Sequence, residues 1–256
     1  MLKIERYAQI ENLLSRKEAI GISEICSRLH VSRATIYRDI KDMASSGNVR
    51  LVRGGIAKPN VHTSLVEESA HSEKIHTNTE EKMRLAEAAV QKVRPGSAVF
   101  LDSSTTVFHM CRHLKKFDSL FLITNDLKIA GEFTTSPNIT VYVLGGKLRH
   151  NYYTLSDHSF ENDLRDISID TAFLSCDAFD IPHGCMITNE DEVPLKKYII
   201  NRAASAYLLC DHSKYDHSAF ISFSDARRFA NILTGKELSE ELRQKYIDSF
   251  PKLVIL

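Results

Sequence analysis

The sequence predicts an α/β protein in which a small helical N-terminal domain precedes a mainly parallel, Rossmann-like domain. Two observations lead to this prediction. The first 58 residues contain three short helical patterns followed by a strand-like segment that includes glycines. Beyond residue 79, short continuous apolar segments alternate with amphipathic helical segments, which is typical of a parallel sheet covered by helices on both faces. The predicted strands are residues 98–101, 120–124, 140–144, 171–175, 206–210 and 253–256, and the predicted helices are residues 80–93, 107–114, 127–133, 193–204 and 239–249.

The length of the chain is compatible with two domains. Its 256 residues suffice for a small domain and a second domain of about 150 to 200 residues. We predict that the domains span residues 1–58 and 80–256. Residues 59–79 are polar and lack hydrophobic periodicity, so we interpret them as a linker.

The charges are distributed unevenly along the chain. Residues 1–60 contain 11 Lys or Arg and 6 Asp or Glu, whereas the remainder contains 22 basic and 27 acidic residues. A net charge of zero therefore conceals a basic N-terminal domain and an acidic second domain. A basic domain is favoured on nucleic acid, because it neutralises phosphates and releases counterions.

The third helical pattern places an apolar stripe opposite a basic face. Ile36, Ile40 and Met43 recur at the spacing of one buried helix face. Arg38 and Lys41 then lie on the other side. Ser32 precedes this helix and is predicted to be its N-cap, with its hydroxyl accepting a hydrogen bond from the first turn.

After this helix, residues 48–55 alternate like a strand and turn at Arg53-Gly54-Gly55. This order of elements, with a helix-turn-helix at about residues 20–39, favours a winged helix-turn-helix that places a helix in the major groove of duplex DNA. A small helical protein-interaction module is the alternative. The predicted DNA-binding residues are Ser32, Arg33, Thr35, Tyr37, Arg38, Lys41, Arg50, Arg53, Gly54 and Gly55.

In the second domain, polar residues follow several of the predicted strands. Ligands of parallel α/β sheets bind at the carboxyl ends of strands. Hydroxyls, amides and lysines suit a phosphate, whereas carboxylates suit sugar hydroxyls; ordinary caps and turns are the alternative reading of the same residues. The predicted ligand-binding residues that follow strands are Asp102, Ser103, Ser104, Thr105, Thr106, Asn125, Gly145, Gly146, Lys147, Asp211 and Lys214. Three further predicted ligand-binding residues, Asp170, Glu192 and Lys196, do not follow a predicted strand.

Other classes of site and location receive little support from the sequence. The five cysteines are widely spaced without a C-x-x-C pair, so we predict neither disulfides nor a zinc site and treat the cysteines mostly as core residues. His109 and His113 have a metal-compatible spacing but no third candidate ligand nearby in sequence. We predict no metal, no cofactor and no catalytic residue. Without an apolar segment of spanning length or a signal peptide, a cytoplasmic protein is expected.

The chain resembles the DeoR family of bacterial transcriptional regulators. The resemblance rests on Val31-Ser32, Thr35-Ile36, Arg38-Asp39 and the Arg53-Gly54-Gly55 turn in the first domain. In the second domain it rests on Leu101-Asp102-Ser103-Ser104-Thr105-Thr106, Thr124-Asn125, Gly145-Gly146, Asp170, Phe173 and Asp211-His212-Ser213-Lys214.

The resemblance implies a C-terminal effector domain similar to ribose-5-phosphate isomerase. It also implies binding to double-stranded operator DNA and repression of a carbohydrate uptake or catabolism operon that responds to a phosphorylated sugar. We expect a dimer or tetramer, since a symmetric oligomer matches repeated half-sites.

The chain departs from the family pattern at Ser104 and Ala178, where glycine is usual, and at Asp157. Two alternatives therefore accompany the sensor reading. One is a DNA-binding regulator without a small-molecule effector. The other is a sugar-phosphate isomerase-type enzyme, whose acid and base would come from Asp170, Asp177, Asp180, Glu190, Glu192 and Lys196.

Overall fold

The computed structural model describes residues 2–15, 17, 19–46, 48–52, 55–58, 71–149, 152–157 and 159–256. Arg53, Gly54 and residues 59–70 of the predicted linker lie outside the described residues. For Arg33 and Arg50 only the backbone is described, in a helix and a strand respectively.

The N-terminal elements combine three helices with a small sheet. They are α1 (Lys3–Ser15), β1 (Ala19–Gly21), α2 (Ile22–Leu29), α3 (Arg33–Ser45), β2 (Arg50–Val52) and β3 (Gly55–Ala57). Strand β3 lies between β1 and β2 and pairs antiparallel with both. The hairpin was predicted, but β1 was not, because three residues are too few to produce a visible alternation.

The predicted apolar stripes meet in one core. The side chains of Ile36, Ile40 and Met43 on α3 are at most 2% exposed. They pack with Ile10 and Leu14 of α1 in the same buried cluster. The three helices thereby fix the orientation of the opposite face of α3.

The second domain is built from strands and helices in alternation. Its strands are β4 (Ala98–Leu101), β5 (Leu120–Thr124), β6 (Ile139–Val143), β7 (Lys147–Leu148), β8 (Leu155–Ser156), β9 (Thr171–Leu174), β10 (Ala178–Asp180), β11 (Gly184–Ile187), β12 (Ser205–Leu209), β13 (Ile221–Ser224), β14 (Asn231–Thr234) and β15 (Leu253–Ile255). Its helices are α4 (His71–Lys74), α5 (Thr79–Val90), α6 (Thr105–Phe108), α7 (Cys111–Leu114), α8 (Leu127–Glu132), α9 (Phe160–Asp163), α10 (Val193–Arg202) and α11 (Glu240–Ser249).

Among the described residues, seven strands form one parallel sheet in the order β15-β14-β12-β9-β4-β5-β6. Phe100 and its neighbour Val99 belong to two different buried clusters, as expected when successive side chains point to opposite faces of a sheet. Both faces of the sheet are therefore covered, and the predicted α/β fold class is confirmed.

Some elements differ from the prediction. Residues 107–114, predicted as one helix, form α6 and α7, which are separated at His109 and Met110. Strand β14 and the antiparallel sheet β10-β11-β13 were not predicted. Helix α4 and the first residue of α5 lie within the predicted linker. Lys74 of α4 pairs with Asp177, so this part of the predicted linker contacts the second domain. The described part of the chain contains no helix with the length and apolar character needed to cross a membrane.

Candidate functional site

The first candidate site is the exposed face of α3. Ser32 caps this helix as predicted, because its Oγ accepts a hydrogen bond of 3.3 Å from the Thr35 amide. Tyr37 is 55% exposed, and Arg38 and Lys41 are also exposed. Arg38 and Lys41 form no hydrogen bond or ion pair with any described residue, so their charges are available to a polyanion.

A partly buried ion pair fixes α3 against α1. Asp39 is 3% exposed, and its two carboxylate oxygens accept hydrogen bonds of 2.5 and 2.9 Å from Arg6. This bidentate arrangement holds the neighbouring Arg38 at the surface. The ion pair of Asp39 was not predicted, although a carboxylate beside an apolar stripe is a recognisable signal.

Gly55 has a structural role that differs from the predicted turn and DNA contact. The residue is buried in β3, and a Cβ at this position would overlap the carbonyl oxygen of Ile20 on β1. Glycine is therefore required by the close approach of two strands. We correct the prediction accordingly and remove Gly55 from the DNA-facing set.

The second candidate site is an open cleft at the carboxyl ends of β4 and β9. From β4 the sheet continues in one direction through β5 and β6, and from β9 it continues in the other through β12. This is the topological switch point at which parallel α/β sheets bind ligands.

Nine of the predicted ligand-binding residues line this cleft: Asp102, Ser103, Ser104, Thr105, Thr106, Glu192, Lys196, Asp211 and Lys214. The structure adds further lining residues, namely His71, Lys74, Arg149, Tyr152, Thr154, Ser175, Cys176, Asp177 and Ile187. Arg149 could have been found from its place just after the Gly145-Gly146 turn. Lys74 could not, because it lies 103 residues from its partner Asp177.

Three cations of the cleft are held by carboxylates. Lys74 Nζ lies 2.6 Å from Asp177 Oδ1, and Arg149 Nη1 lies 2.7 Å from Glu192 Oε1. Lys196 forms a short ion pair with Asp102, and both residues are at most 3% exposed.

These pairs set the charge of the cleft. Burial disfavours the Lys196 ammonium, but Asp102 and Glu192 outweigh this effect and raise its pKa above the usual value. Burial likewise disfavours the Asp177 carboxylate, but Lys74 outweighs it and lowers the pKa of Asp177. Burial also raises the pKa of Asp102 to about 6, so this carboxylate is charged at neutral pH and loses its charge in more acidic solution. At neutral pH the pairs are thus charged and hold one another in place.

Lys214 differs from these cations. Its side chain is half-buried in the cleft wall, and no carboxylate oxygen of the described residues lies within 4.0 Å of its Nζ. Neighbouring Asp211 is engaged elsewhere, since its Oδ1 accepts hydrogen bonds from Asn78 and Ser213. Lys214 therefore offers three hydrogen-bond donors to a ligand.

The side chain of Ser104 hydrogen-bonds to backbone amides that could otherwise donate to a phosphate. Its Oγ accepts hydrogen bonds from the Thr106 amide at 3.1 Å and the Val107 amide at 3.4 Å. Ser103 Oγ is also engaged, lying 2.6 Å from both Asp126 Oδ2 and Thr154 Oγ1. The polar groups of the loop after β4 are thus engaged in hydrogen bonds within the protein. An anion in the cleft is therefore expected to bind the cationic side chains rather than the amides of α6.

Five predicted ligand-binding residues do not line the cleft. Asn125 and Gly145 line a neighbouring smaller hollow, Lys147 is exposed on β7, and Gly146 approaches β8 so closely that a Cβ would overlap the Ser156 carbonyl. Asp170 precedes β9, so it lies at the amino ends of the strands, away from the cleft. There its Oδ2 accepts a hydrogen bond from the Ala98 amide. We therefore remove Asp170 and Lys147 from this site.

The departures from the family pattern lie outside the cleft wall, with Ser104 as the exception. Asp157 is exposed and borders the smaller hollow, and Ala178 is buried in β10. Of the acid–base candidates, Asp177, Glu192 and Lys196 line the cleft, and each is held in an ion pair.

One metal-compatible cluster occurs among the described residues, and it includes neither His109 nor His113. Glu81, Asp211 and His212 place ligand atoms within 4.8 Å of one another. However, Glu81 already accepts hydrogen bonds from the amides of His212 and Gly235 and lies 2.6 Å from the His212 ring. The cluster is therefore satisfied by internal hydrogen bonds.

Buried Lys82 predicts a pH-dependent stability. Burial lowers its pKa from 10.5 to about 8. Below pH 8 the lysine is charged in both the folded and the unfolded chain, and the cost of burying it is fully present. Between about pH 8 and 10.5 the folded lysine is neutral while the unfolded lysine keeps its proton, so this group's contribution to stability rises with pH.

We expect the wild-type free energy of unfolding to rise relative to that of Lys82→Met between pH 7 and 10, by on the order of 2 to 3 kcal/mol. Chemical denaturation at several pH values measures this difference. Lys92→Met, which removes an exposed lysine, is the control. Parallel pH profiles of the wild type and Lys82→Met would contradict the prediction.

Two known domain families match the chain. The family described as "HTH domain" matches residues 6–56, and the family described as "DeoR C terminal sensor domain" matches residues 77–236. The second match covers more than half of the sequence. The chain belongs to the DeoR family. The DeoR-family resemblance inferred from the sequence is thereby confirmed.

Relatives in this family are named as transcriptional regulators. The Escherichia coli (strain K12) "Uncharacterized HTH-type transcriptional regulator YgbI" is 28% identical over 255 residues, which are 100% of this chain and 98% of the relative. The Bacillus subtilis (strain 168) "HTH-type transcriptional repressor GlcR" is 29% identical over 236 residues, covering 92% of this chain and 90% of the relative. This DeoR-family chain is thus similar to such regulators over nearly its whole length.

Solved structures similar to the chain include a D-ribose-5-phosphate isomerase in complex with phospho-erythronic acid. The two are 16% identical with a TM-score of 0.40, and the similarity covers 54% of each chain. The DeoR-family chain therefore spans about half the length of that isomerase.

Proposed function

We propose that this protein represses a carbohydrate uptake or catabolism operon and that a phosphorylated sugar bound in the cleft tunes this repression. The observation that carries the proposal is the cleft at the β4–β9 switch point, in which no carboxylate oxygen of the described residues lies within 4.0 Å of Lys214 Nζ. A phosphate group would supply an anionic partner for this ammonium group.

The remaining groups of the cleft suit the sugar part of such a ligand. Carboxylates accept hydrogen bonds from hydroxyl groups, and ammonium groups donate to them. Asp177 and Glu192 are oriented by ion pairs, so they are positioned before a ligand arrives. A small polyol phosphate matches this combination better than an apolar ligand would.

The N-terminal domain is proposed to bind operator DNA through α3. Arg38, Lys41 and Tyr37 are exposed on this helix, and the partly buried Asp39–Arg6 pair orients it. We further propose a dimer or tetramer that presents two such helices to repeated half-sites. A ligand changes operator affinity only if it binds two arrangements of the oligomer with different affinity.

Isothermal titration of the full-length protein with pentose and hexose phosphates, inorganic phosphate and unphosphorylated sugars tests the proposed effector. Saturable heat without conversion of the sugar, together with altered operator affinity, supports the sensor. Conversion of the sugar would instead support an isomerase-type enzyme. Absence of binding across the panel would support a regulator without a small-molecule effector.

Replacing Arg38 tests the DNA-binding face. We expect Arg38→Ala to weaken operator binding by about 1 to 3 kcal/mol, because an exposed arginine on this helix contacts base edges or phosphates. Fluorescence anisotropy on a promoter fragment selected from genomic DNA, at fixed salt and with scrambled competitor, measures the effect. Arg112→Ala removes an exposed arginine from the second domain and is the control. Equal affinities of wild type and Arg38→Ala would exclude Arg38 from the interface.

A further inference from the structure

Three cysteines meet beneath the candidate ligand cleft. Cys176, Cys185 and Cys210 are all buried and unbridged, and the sulfur atoms of Cys176 and Cys210 lie 3.7 Å apart. Cys176 follows β9 and Cys210 follows β12. These strands are paired neighbours, and continuing their register places the two residues opposite one another.

The backbone geometry at this place suits a disulfide. Neighbouring strands lie about 4.8 Å apart, and bridged cysteines have Cα atoms roughly 4.4 to 6.8 Å apart. The Cα separation expected for Cys176 and Cys210 from this strand spacing therefore lies within the range of bridged cysteines.

Cys176 is the member of the cluster that a small reagent can reach. It lines the open cleft and is 6% exposed, whereas Cys185 and Cys210 are fully buried. Hydrogen bonds from the Cys185 and Cys210 thiols, supported by the charge of Lys214, lower the pKa of Cys176. A thiolate is the nucleophilic form of cysteine.

We propose that Cys176 is a peroxide-reactive thiol that forms a disulfide with Cys210. The Cys176 thiolate attacks one oxygen of hydrogen peroxide, the O–O bond breaks, and the leaving hydroxide takes up a proton to become water. Cys210 then attacks the sulfur of the Cys176 sulfenic acid, an S–S bond forms and the S–O bond breaks, and the proton of the Cys210 thiol passes to the leaving hydroxide, which departs as a second water. Two thiols thus lose two electrons to one peroxide.

The disulfide would alter the ligand cleft. Its S–S bond is about 2.05 Å long, so the Cys176 side chain must move from its present position. Both neighbours of Cys176 carry cleft contacts, since the Ser175 amide donates to Asp102 at 3.1 Å and Asp177 pairs with Lys74 at 2.6 Å. This effect on ligand affinity rests on the proposed sensor function, whereas the formation of the disulfide does not.

The test is peptide mapping of the full-length protein after exposure to hydrogen peroxide, without any sugar phosphate present. A Cys26→Ser background removes the half-buried thiol and leaves four cysteines. We expect two free thiols to disappear and a Cys176–Cys210 linked peptide to form, reversibly with dithiothreitol. Burial raises the pKa of Cys111, so that thiol is expected to remain reduced and serves as an internal control.

Single variants separate the two steps. In Cys210→Ser, dimedone is expected to label the sulfenic acid of Cys176, whereas in Cys176→Ser neither labelling nor linkage is expected. Cys185→Ser is expected to retain the Cys176–Cys210 linkage. Retention of four free thiols in the Cys26→Ser protein, or oxidation of Cys111 before Cys176, would overturn the proposal, and this mapping needs no variant within the cluster.

Discussion

Lys214→Ala is expected to weaken binding of a phosphorylated sugar roughly ten- to a hundredfold. A hydrogen bond to a charged group contributes about 1.5 to 3 kcal/mol, and 1.4 kcal/mol corresponds to a tenfold change in affinity. The other cations of the cleft share their charge with carboxylates, whereas Lys214 has none within 4.0 Å in the described part of the chain. Titration calorimetry with the sugar phosphate that binds the wild type measures the loss.

Lys147→Ala is the matched control for this experiment. Lys147 was predicted to bind the ligand as well, but it is exposed on β7 and does not line the cleft. Both variants remove one positive charge, so a general electrostatic effect would lower affinity equally in both. Wild-type affinity in Lys214→Ala, or the same loss in Lys147→Ala, would contradict the assignment of Lys214 as the phosphate anchor.

Lys196→Met is expected to lower the free energy of unfolding by about 3 to 5 kcal/mol. The substitution leaves the Asp102 carboxylate 2% exposed without its ammonium partner, and an uncompensated buried charge carries a desolvation cost of this size. Chemical denaturation of the ligand-free protein measures the change.

Two further variants separate the buried pair from ordinary surface charge. Asp102→Asn in the Lys196→Met background removes the stranded charge, so we expect it to restore part of the lost stability. Lys115→Met breaks an exposed pair with Glu132 and is expected to cost less than about 1 kcal/mol. Similar losses in Lys196→Met and Lys115→Met would refute the importance of burial.

Local sequence patterns were sufficient to predict the fold class and much of the cleft. The strand β4 and the polar run after it were predicted because a continuous apolar segment followed by hydroxyl residues is visible within ten positions. The exposed basic face of α3 was predicted from helical periodicity. In both cases the signal lies within one element, where spacing determines direction.

The remaining features depend on contacts between distant segments. The pairing of Lys74 with Asp177 joins residues 103 positions apart, and the role of Gly55 arises from a strand formed by residues 19–21. Asp170 was predicted to bind the ligand although it precedes β9, so the rule that selected the residues after strands did not apply to it. In a parallel sheet, a residue that follows a strand lies at the carboxyl ends of the strands, whereas a residue that precedes a strand lies at the amino ends.

Helix α4 places the entry of the chain into the second domain at the wall of the cleft. Its last residue, Lys74, binds Asp177 on one side, and its carbonyl oxygen accepts a hydrogen bond of 2.5 Å from Lys82 on the other. A ligand that bound Asp177 in place of Lys74 would weaken the attachment of α4 to the cleft, at the point where the chain from the DNA-binding domain enters the second domain. Ligand binding would thereby free α4 to move. The loss of one ion pair would then suffice to pass a change in the cleft to the segment that leads to the N-terminal domain.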